Sequence, residues 1–216
     1  VNLPPKEVKK GVIAASAGNH AQGVSLAAKK IGISSIIVMP NTTPKVKVEA
    51  VKKLGSRIVI AGDSYSEAYE QALRMSKKEN LVFIHPFDDD FVIAGQGTIG
   101  MEILRQSSFH IDAIFIAVGG GGLISGVGAY IKAIRPDIKI IGVQTEDSDA
   151  MYKSLKAQRR IQLNHVGLFS DGTAVKKVGK RNFDLCRIVV DEMVLVNTDE
   201  VCAAIKVVFE DTRCIQ

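Results

Sequence analysis

The sequence predicts an α/β protein of two lobes, each a parallel sheet covered by helices. Three observations carry this reading. Apolar runs of strand length alternate with segments of helical period almost from end to end. These runs are apolar throughout, as strands buried on both faces of a parallel sheet are. Four consecutive glycines, Gly119–Gly122, join one such run to a helical pattern. A strand, a glycine loop and a helix in that order can hold an anion on backbone N–H groups, because no Cβ blocks the approach.

Val12–Ala15 is the first strand, and Val24, Ala27, Ala28 and Ile31 follow at helical spacing until Gly32 ends the helix. Ile36–Met39 is the second strand. Thr43-Pro44 predicts an N-cap with proline at the first helical position, and Val46, Ala50 and Leu54 share a face before Gly55. Arg57–Ile60 is the third strand. Ser64 and Glu67 have capping-box spacing and open a helix aligning Ala68, Ala72 and Met75. Leu81–Ile84 is the fourth strand.

A helix from about Gly97 to Arg105 leads to the second set: the strand Ala113–Val118, a helix with Leu123, Ile124, Val127, Ile131 and Ile134, and the strand Ile138–Val143. A polar helix over Ser148–Gln158, a strand at Arg187–Val190 and a helix over Asp199–Asp211 complete the chain. The division falls near Ser107–His110, giving lobes 1–108 and 109–216. The second lobe is thin and the first strand starts almost at once, so the expected architecture is truncated at both ends. Val1-Asn-Leu-Pro-Pro is neither a signal nor a transit peptide. With no initiator methionine, the chain reads as a fragment or a processed form.

A chain of 216 residues, 46% hydrophobic and 24% charged, can bury a real core and has the profile of an ordinary globular protein. No apolar run approaches the length of a membrane span. The net charge of +5 is spread over pairs such as Lys29-Lys30, Lys52-Lys53 and Lys77-Lys78 at helix ends, and there is no Trp. That excludes a nucleic-acid face and leaves an anionic small molecule as the better partner. Cys186, Cys202 and Cys214 have no metal spacing and are odd in number, which fits free thiols in a reducing compartment.

A second loop of the same kind stands at the end of the first strand: Ser16-Ala17-Gly18-Asn19-His20, then Ala21-Gln22-Gly23. Open α/β folds place ligands at such strand ends. Ser16 offers a hydroxyl, Gly18 close backbone approach, Asn19 a donor and an acceptor, and the following helix N–H groups suited to a carboxylate. A capped helix with no ligand is the other reading of this loop.

Taken together, Ser16–Gly23, Val92-Ile-Ala-Gly-Gln-Gly-Thr98, Val118-Gly-Gly-Gly-Gly-Leu123, Val166–Val175 and Cys202–Arg213 occur in an order that resembles the fold-type II pyridoxal-phosphate enzymes. The threonine dehydratases are the most similar branch, and the likeness runs the whole length. It implies a tryptophan synthase β-like architecture with pyridoxal 5′-phosphate as cofactor. The implied reaction is β-elimination of threonine to 2-oxobutanoate, or of serine to pyruvate, with ammonia, in isoleucine synthesis or threonine catabolism. By matching residue, Asn19 resembles the partner of the pyridine 3′-oxygen. Gly119, Gly120, Gly121, Gly122 and Leu123 resemble the phosphate cradle. Ser16, Ala17, Gly18, Asn19 and His20 resemble the clamp on the substrate carboxylate, with Gln96 nearby. Gly172 resembles a glycine that passes close to the cofactor ring. His20 is read as loop support; His85, His110 and His165 have no partner at diagnostic spacing.

The resemblance also implies a lysine, in a Ser/Phe-x-Lys-x-Arg-Gly motif upstream of the Asn loop, that holds the cofactor covalently. Lys6, Lys9 and Lys10 lack that context, so no catalytic residue is assigned in this chain. The polar residue facing the pyridine nitrogen is expected beyond Arg213 and is absent too. The acidic cation site of serine racemase is only partly echoed by Glu146, so no metal is expected. The implied partners are an amino-acid substrate and, for the complete protein, further copies of itself, with no nucleic acid and no membrane. The expected compartment is the cytoplasm, or an organelle where the full gene carries a transit peptide. Two other readings stay open: a serine racemase or serine dehydratase, and a non-catalytic α/β binding protein lacking the Schiff-base lysine.

Overall fold

The computed structural model describes residues 4–167 and 169–213. Val1, Asn2, Leu3, Leu168 of the Val166–Val175 motif and Cys214 lie outside them. The described chain divides into two compact units, one running to Phe91 and one starting at Val92.

The first unit holds α1 (Pro5–Val8), β1 (Val12–Ala15), α2 (Asn19–Ile31), β2 (Ser35–Met39), α3 (Lys45–Lys53), β3 (Arg57–Ile60), α4 (Tyr65–Glu79) and β4 (Val82–Phe83). Its strands lie in the order β3-β2-β1-β4, all parallel. Consecutive residues of β1 face opposite layers, as strand geometry requires. Ile13 and Ala15 pack with Ile36 and Val38 on Ala68 and Ala72 of α4. Ala14 packs with Ile37 and Met39 on Ala21 of α2 and Val51 of α3. The small alanines of α4 and α2 let their helices lie close to the sheet.

Two helix faces differ from the sequence reading. On α2 the buried positions are Ala21, Ser25 and Ala28, while Ile31 is exposed. Ser25 tolerates burial because its hydroxyl donates to Ala21 O at 2.7 Å and receives Ser56 Oγ at 2.6 Å. On α3 the core residue is Val51, supported by Val48, and Val46 points to solvent. Pro44 itself is the N-cap of α3 and no side chain caps that helix. Ser64 caps α4 through Glu67 N, but the Glu67 carboxylate reaches back to Asp63 N rather than closing a capping box.

The second unit holds α5 (Asp90–Gln106) from Val92 on, β5 (Ala113–Ala117), α6 (Gly122–Ile134), β6 (Lys139–Thr145), α7 (Ala150–Lys156), α8 (Lys180–Val189), β7 (Glu192–Val196) and α9 (Thr198–Thr212). Short 3-10 turns occupy Glu146–Ser148 and Asp171–Thr173. The parallel sheet runs β5-β6-β7. Ile116, Val118 and Ile140 meet Ile124, Val127 and Ile131 of α6, Met151 of α7 and Phe183 and Cys186 of α8. On the other face of β5, Phe115 is exposed.

The unit boundary falls between Phe91 and Val92, in the first turn of α5, rather than near Ser107–His110. Glycines explain why. Gly97 and Gly100 of α5 lie against the backbone of Gly126 and Val127 of α6, and a Cβ on Gly126 would strike Ile93 O. α5 therefore packs as part of the second unit, and it starts earlier than Gly97. The strand expected at Arg187–Val190 is instead the end of α8. Phe183, Cys186 and Val189 are buried at helical spacing while Ile188 is 80% exposed, and the strand follows at Glu192–Val196. A short apolar run read without its upstream period gave the wrong element.

Candidate functional site

Both glycine loops stand at the C-terminal ends of parallel strands, each in its own unit. In the first unit, Ser16 N donates to Val38 O, which extends the pairing of β1 with β2 by one residue. The Ser16 hydroxyl then accepts Gly18 N–H at 3.2 Å and turns the chain into α2. Gly18 is the N-cap, and no side chain caps the helix. Asn19 is exposed, and Ser16, Ala17, Gly18 and His20 are half-buried. A Cβ at Gly18 would meet nothing within 4 Å. The loop thus presents an open helix N-terminus, a free amide side chain and empty space. The capped-helix reading required Ser16 or Asn19 to cap α2, and neither does.

His20 Nε2 donates to Ile84 O at 3.2 Å, joining the start of α2 to the end of β4. Burial pushes its pKa below the ordinary value, with nearby His85 adding to the effect and the Ile84 bond opposing it. The ring is neutral at pH 7, and its donor is occupied. His85 is likewise held down by burial, against the pull of Asp88 and Asp89. Its Nδ1 accepts Phe87 N–H at 3.2 Å and Asp88 N–H at 2.8 Å, and its ring packs edge-on against Tyr69, Phe83 and Phe87. These contacts fix the turn after β4.

In the second unit the tetraglycine loop follows Val118, whose N–H bonds Val143 O of β6. Gly121 is the N-cap of α6 with φ +97°, the left-handed region, and no side chain caps this helix either. Gly119, Gly120 and Gly121 each meet a neighbour that crowds an added side chain or fixes the backbone. A Cβ on Gly119 would lie 3.1 Å from the Thr173 backbone, and one on Gly121 would lie 2.6 Å from Met151 Cε and 2.9 Å from Asn182 Cβ. Gly120 O accepts Gly179 N–H at 3.2 Å. Leu123 packs on the core of the unit. Gln96 lies on α5 beside Gly126. Gly172 sits in the turn that brings Thr173 to Gly119, and a Cβ on it would meet nothing within 4 Å.

The Val166–Val175 motif includes Thr173, but nothing in the sequence singles out Gly179, Met151 or Asn182, because their contacts with the loop are long-range. Beneath α6, Ser125 Oγ bonds Asn182 O at 3.3 Å and approaches Cys186 Sγ at 3.5 Å. Burial pushes the Cys186 thiol up to about 11, so it stays protonated and acts as a core residue. Cys202 is exposed. Glu146 is exposed in its 3-10 turn, and among the described residues no group of three His, Cys, Asp or Glu side chains is placed to hold a metal.

Helix N-termini opened by glycine at the ends of parallel strands are positions at which α/β folds hold anionic small molecules. A sequence model of the family described as pyridoxal-phosphate dependent enzyme matches residues 4–215. The L-threonine dehydratase biosynthetic of Burkholderia multivorans is 56% identical over 99% of this chain and 43% of its own length. The mitochondrial threonine dehydratase of Schizosaccharomyces pombe is 53% identical over 99% of this chain and 36% of its own. The structure of processed threonine deaminase isoform 2 from Solanum lycopersicum superposes with a TM-score of 0.94 at 50% identity, covering 99% of this chain and 62% of that one. Maize serine racemase superposes at 0.91 and 36% identity, covering 96% and 63%. The chain belongs to the pyridoxal-phosphate dependent enzyme family. It spans about two-fifths of the length of these curated dehydratases.

The residues present fit the cofactor of that family. Its phosphate is a compact anion, and Gly119–Gly122 offer backbone at the mouth of an uncapped helix, where a side chain at Gly121 has no room and one at Gly119 would be tight. Among the described residues, no helix is long and apolar enough to cross a membrane.

Proposed function

We propose that this chain supplies much of the catalytic region of a threonine dehydratase, which converts threonine to 2-oxobutanoate and ammonia and serine to pyruvate. The observation that carries the reading is that each unit has a glycine-opened helix N-terminus at a strand end, α2 in one and α6 in the other, in a chain that aligns along its whole length with dehydratases. Backbone N–H groups of Gly119–Gly122 and Leu123 take the cofactor phosphate, so the unit from Val92 is the cofactor unit. Asn19 orients the ring through its 3′-oxygen. Ser16, Ala17, Gly18 and His20 hold the substrate carboxylate on the N-terminus of α2, with Gln96 as a further polar contact, so the unit through Phe91 is the substrate unit. His20 works as a fixed strut, because its Nε2 proton is committed to Ile84 O. Bound in the cradle, pyridoxal phosphate is the electron sink that lets the Cα proton and then the β-hydroxyl leave. No catalytic lysine is assigned within these residues.

Several of the matching dehydratases are named biosynthetic, mitochondrial or chloroplastic, which supports a role at the entry to isoleucine synthesis. The complete protein is proposed to work as a homo-oligomer in the cytoplasm, or in an organelle where its gene encodes a transit peptide. The test is direct. The protein as its gene encodes it is incubated with pyridoxal phosphate and L-threonine or L-serine, and 2-oxo acid and D-serine are measured. Faster 2-oxobutanoate formation from threonine supports the reading. D-serine as main product would favour serine racemase. No turnover despite cofactor binding would favour a binding protein.

A further inference from the structure

Gln144, the penultimate residue of β6, lies outside every motif of the site and is 2% exposed. Its carboxamide is used at both ends. Nε2 donates to Val118 O at 3.1 Å, and Oε1 accepts Tyr152 N–H at 3.0 Å. Both partners are backbone groups, and both matter to the tetraglycine loop. Val118 is the residue from which the loop departs. Tyr152 lies in the first turn of α7, next to Met151, whose methyl occupies the space a Gly121 side chain would need. One side chain therefore ties the entry of the loop to the helix that floors its exit.

We infer that Gln144 is a positioning residue of the phosphate cradle. The inference rests on the cofactor reading above. An anion held by several backbone N–H groups needs them to converge within a fraction of an ångström, and glycines cannot hold that shape unaided. The ladder of β5 with β6 ends at Ala117 and Val143, so the Val118 carbonyl lies beyond the last paired residues. The Gln144 amide gives that carbonyl its donor. A carboxamide suits the place because it offers a donor and an acceptor from one planar group. A thioether of the same length offers neither.

The experiment titrates the apoprotein, made as its gene encodes it, with pyridoxal phosphate well below its melting temperature. The dissociation constant and the phosphorus resonance of the bound phosphate are read. Gln144→Met should raise the dissociation constant about tenfold or more and move the resonance toward that of free cofactor. Gln144→Asn, an amide too short to reach both partners, should act in the same direction, and it carries the test should the methionine variant fail to fold. Ser56→Ala is the control. It removes a buried hydroxyl that bonds Ser35 and Ser25 in the first unit, so it should lower the melting temperature and leave the phosphate signal unchanged. Gln144 variants that melt earlier yet bind within about twofold of wild type would make the residue merely structural and overturn the inference alone. Failure of the wild-type protein to bind the cofactor would remove the proposed function and the inference together.

Discussion

Gly121→Ala offers the sharpest test of the cradle, because two separate costs can be worked from the structure. The backbone sits at φ +97°, where an L-residue is strained. That alone costs about 1–2 kcal/mol. The new Cβ would also lie 2.6 Å from Met151 Cε and 2.9 Å from Asn182 Cβ. Met151 can swing its flexible end away. The Asn182 Cβ cannot, since it is fixed to the α8 backbone. Overpacking of this kind adds about 1–3 kcal/mol, so the total is about 2–5 kcal/mol. Against a typical stability of about 5–15 kcal/mol, that is a large loss. Urea unfolding followed by circular dichroism measures it, and Gly172→Ala is the matched control. Gly172 has no neighbour within 4 Å of an added Cβ, so that change should stay within about 0.5 kcal/mol of wild type. Equal unfolding midpoints for the two variants would refute the argument that the loop is pressed against its floor.

In the protein as its gene encodes it, Ser16→Ala and Asn19→Ala should each lower turnover about tenfold to a hundredfold, the worth of one hydrogen bond to a charged group. Asn19→Ala should also shift the cofactor absorbance; unchanged kinetics in both would leave the loop without a substrate role. Thermal stability should be constant above the ordinary histidine value of 6.5 and fall as pH drops from there towards the lowered values of His20 and His85. There the unfolded chain takes up protons that the folded rings resist. His85→Asn, which does not titrate, should flatten that curve, and a wild-type melting temperature constant down to about pH 5 would contradict the assignment. Reduction of the 216-residue chain with borohydride in the presence of pyridoxal phosphate should label surface lysines weakly and at scattered positions. Stoichiometric labelling of one lysine, with 2-oxobutanoate formed from threonine, would overturn the view that this chain lacks the catalytic group.

Much of the first unit was legible because its signals are local. Arg57–Ile60 was read with its observed bounds, as was Val12–Ala15, since an unbroken apolar run between turn signals leaves little choice. Ala68 and Ala72 were found because α4 has a narrow apolar stripe. The errors came where two readings of one run compete. Arg187–Val190 reads like a strand, and only Phe183 and Cys186, just upstream of it, show that its period is helical. Val46, Ala50 and Leu54 share a face at four-residue steps, yet the stripe facing the sheet is Val48 and Val51 and Val46 is exposed. The capping box was sought at Ser64. The one with both bonds in place is at Asn197 and Glu200, where Asn197 Oδ1 accepts Glu200 N–H and the Glu200 carboxylate accepts Asn197 N–H.

The same division between local and distant causes runs through the site. The glycines and the Ser16–His20 loop announce themselves because each must be small or polar for its own backbone's sake. The parts that hold the cradle in shape carry no such mark. Thr173, Gly179, Met151 and Asn182 come from a turn, a helix cap and two helices, and each touches the loop through backbone or through bulk, whereas Gln144 of β6 reaches it with its side-chain amide. A backbone contact places no demand on residue type, so it leaves no motif. Gly121, with a left-handed backbone and a floor that forbids a side chain, carries both signatures at once. An alanine there tests the chemistry of the loop and the packing beneath it in one molecule, and reading cofactor affinity and unfolding together would show which of the two fails first.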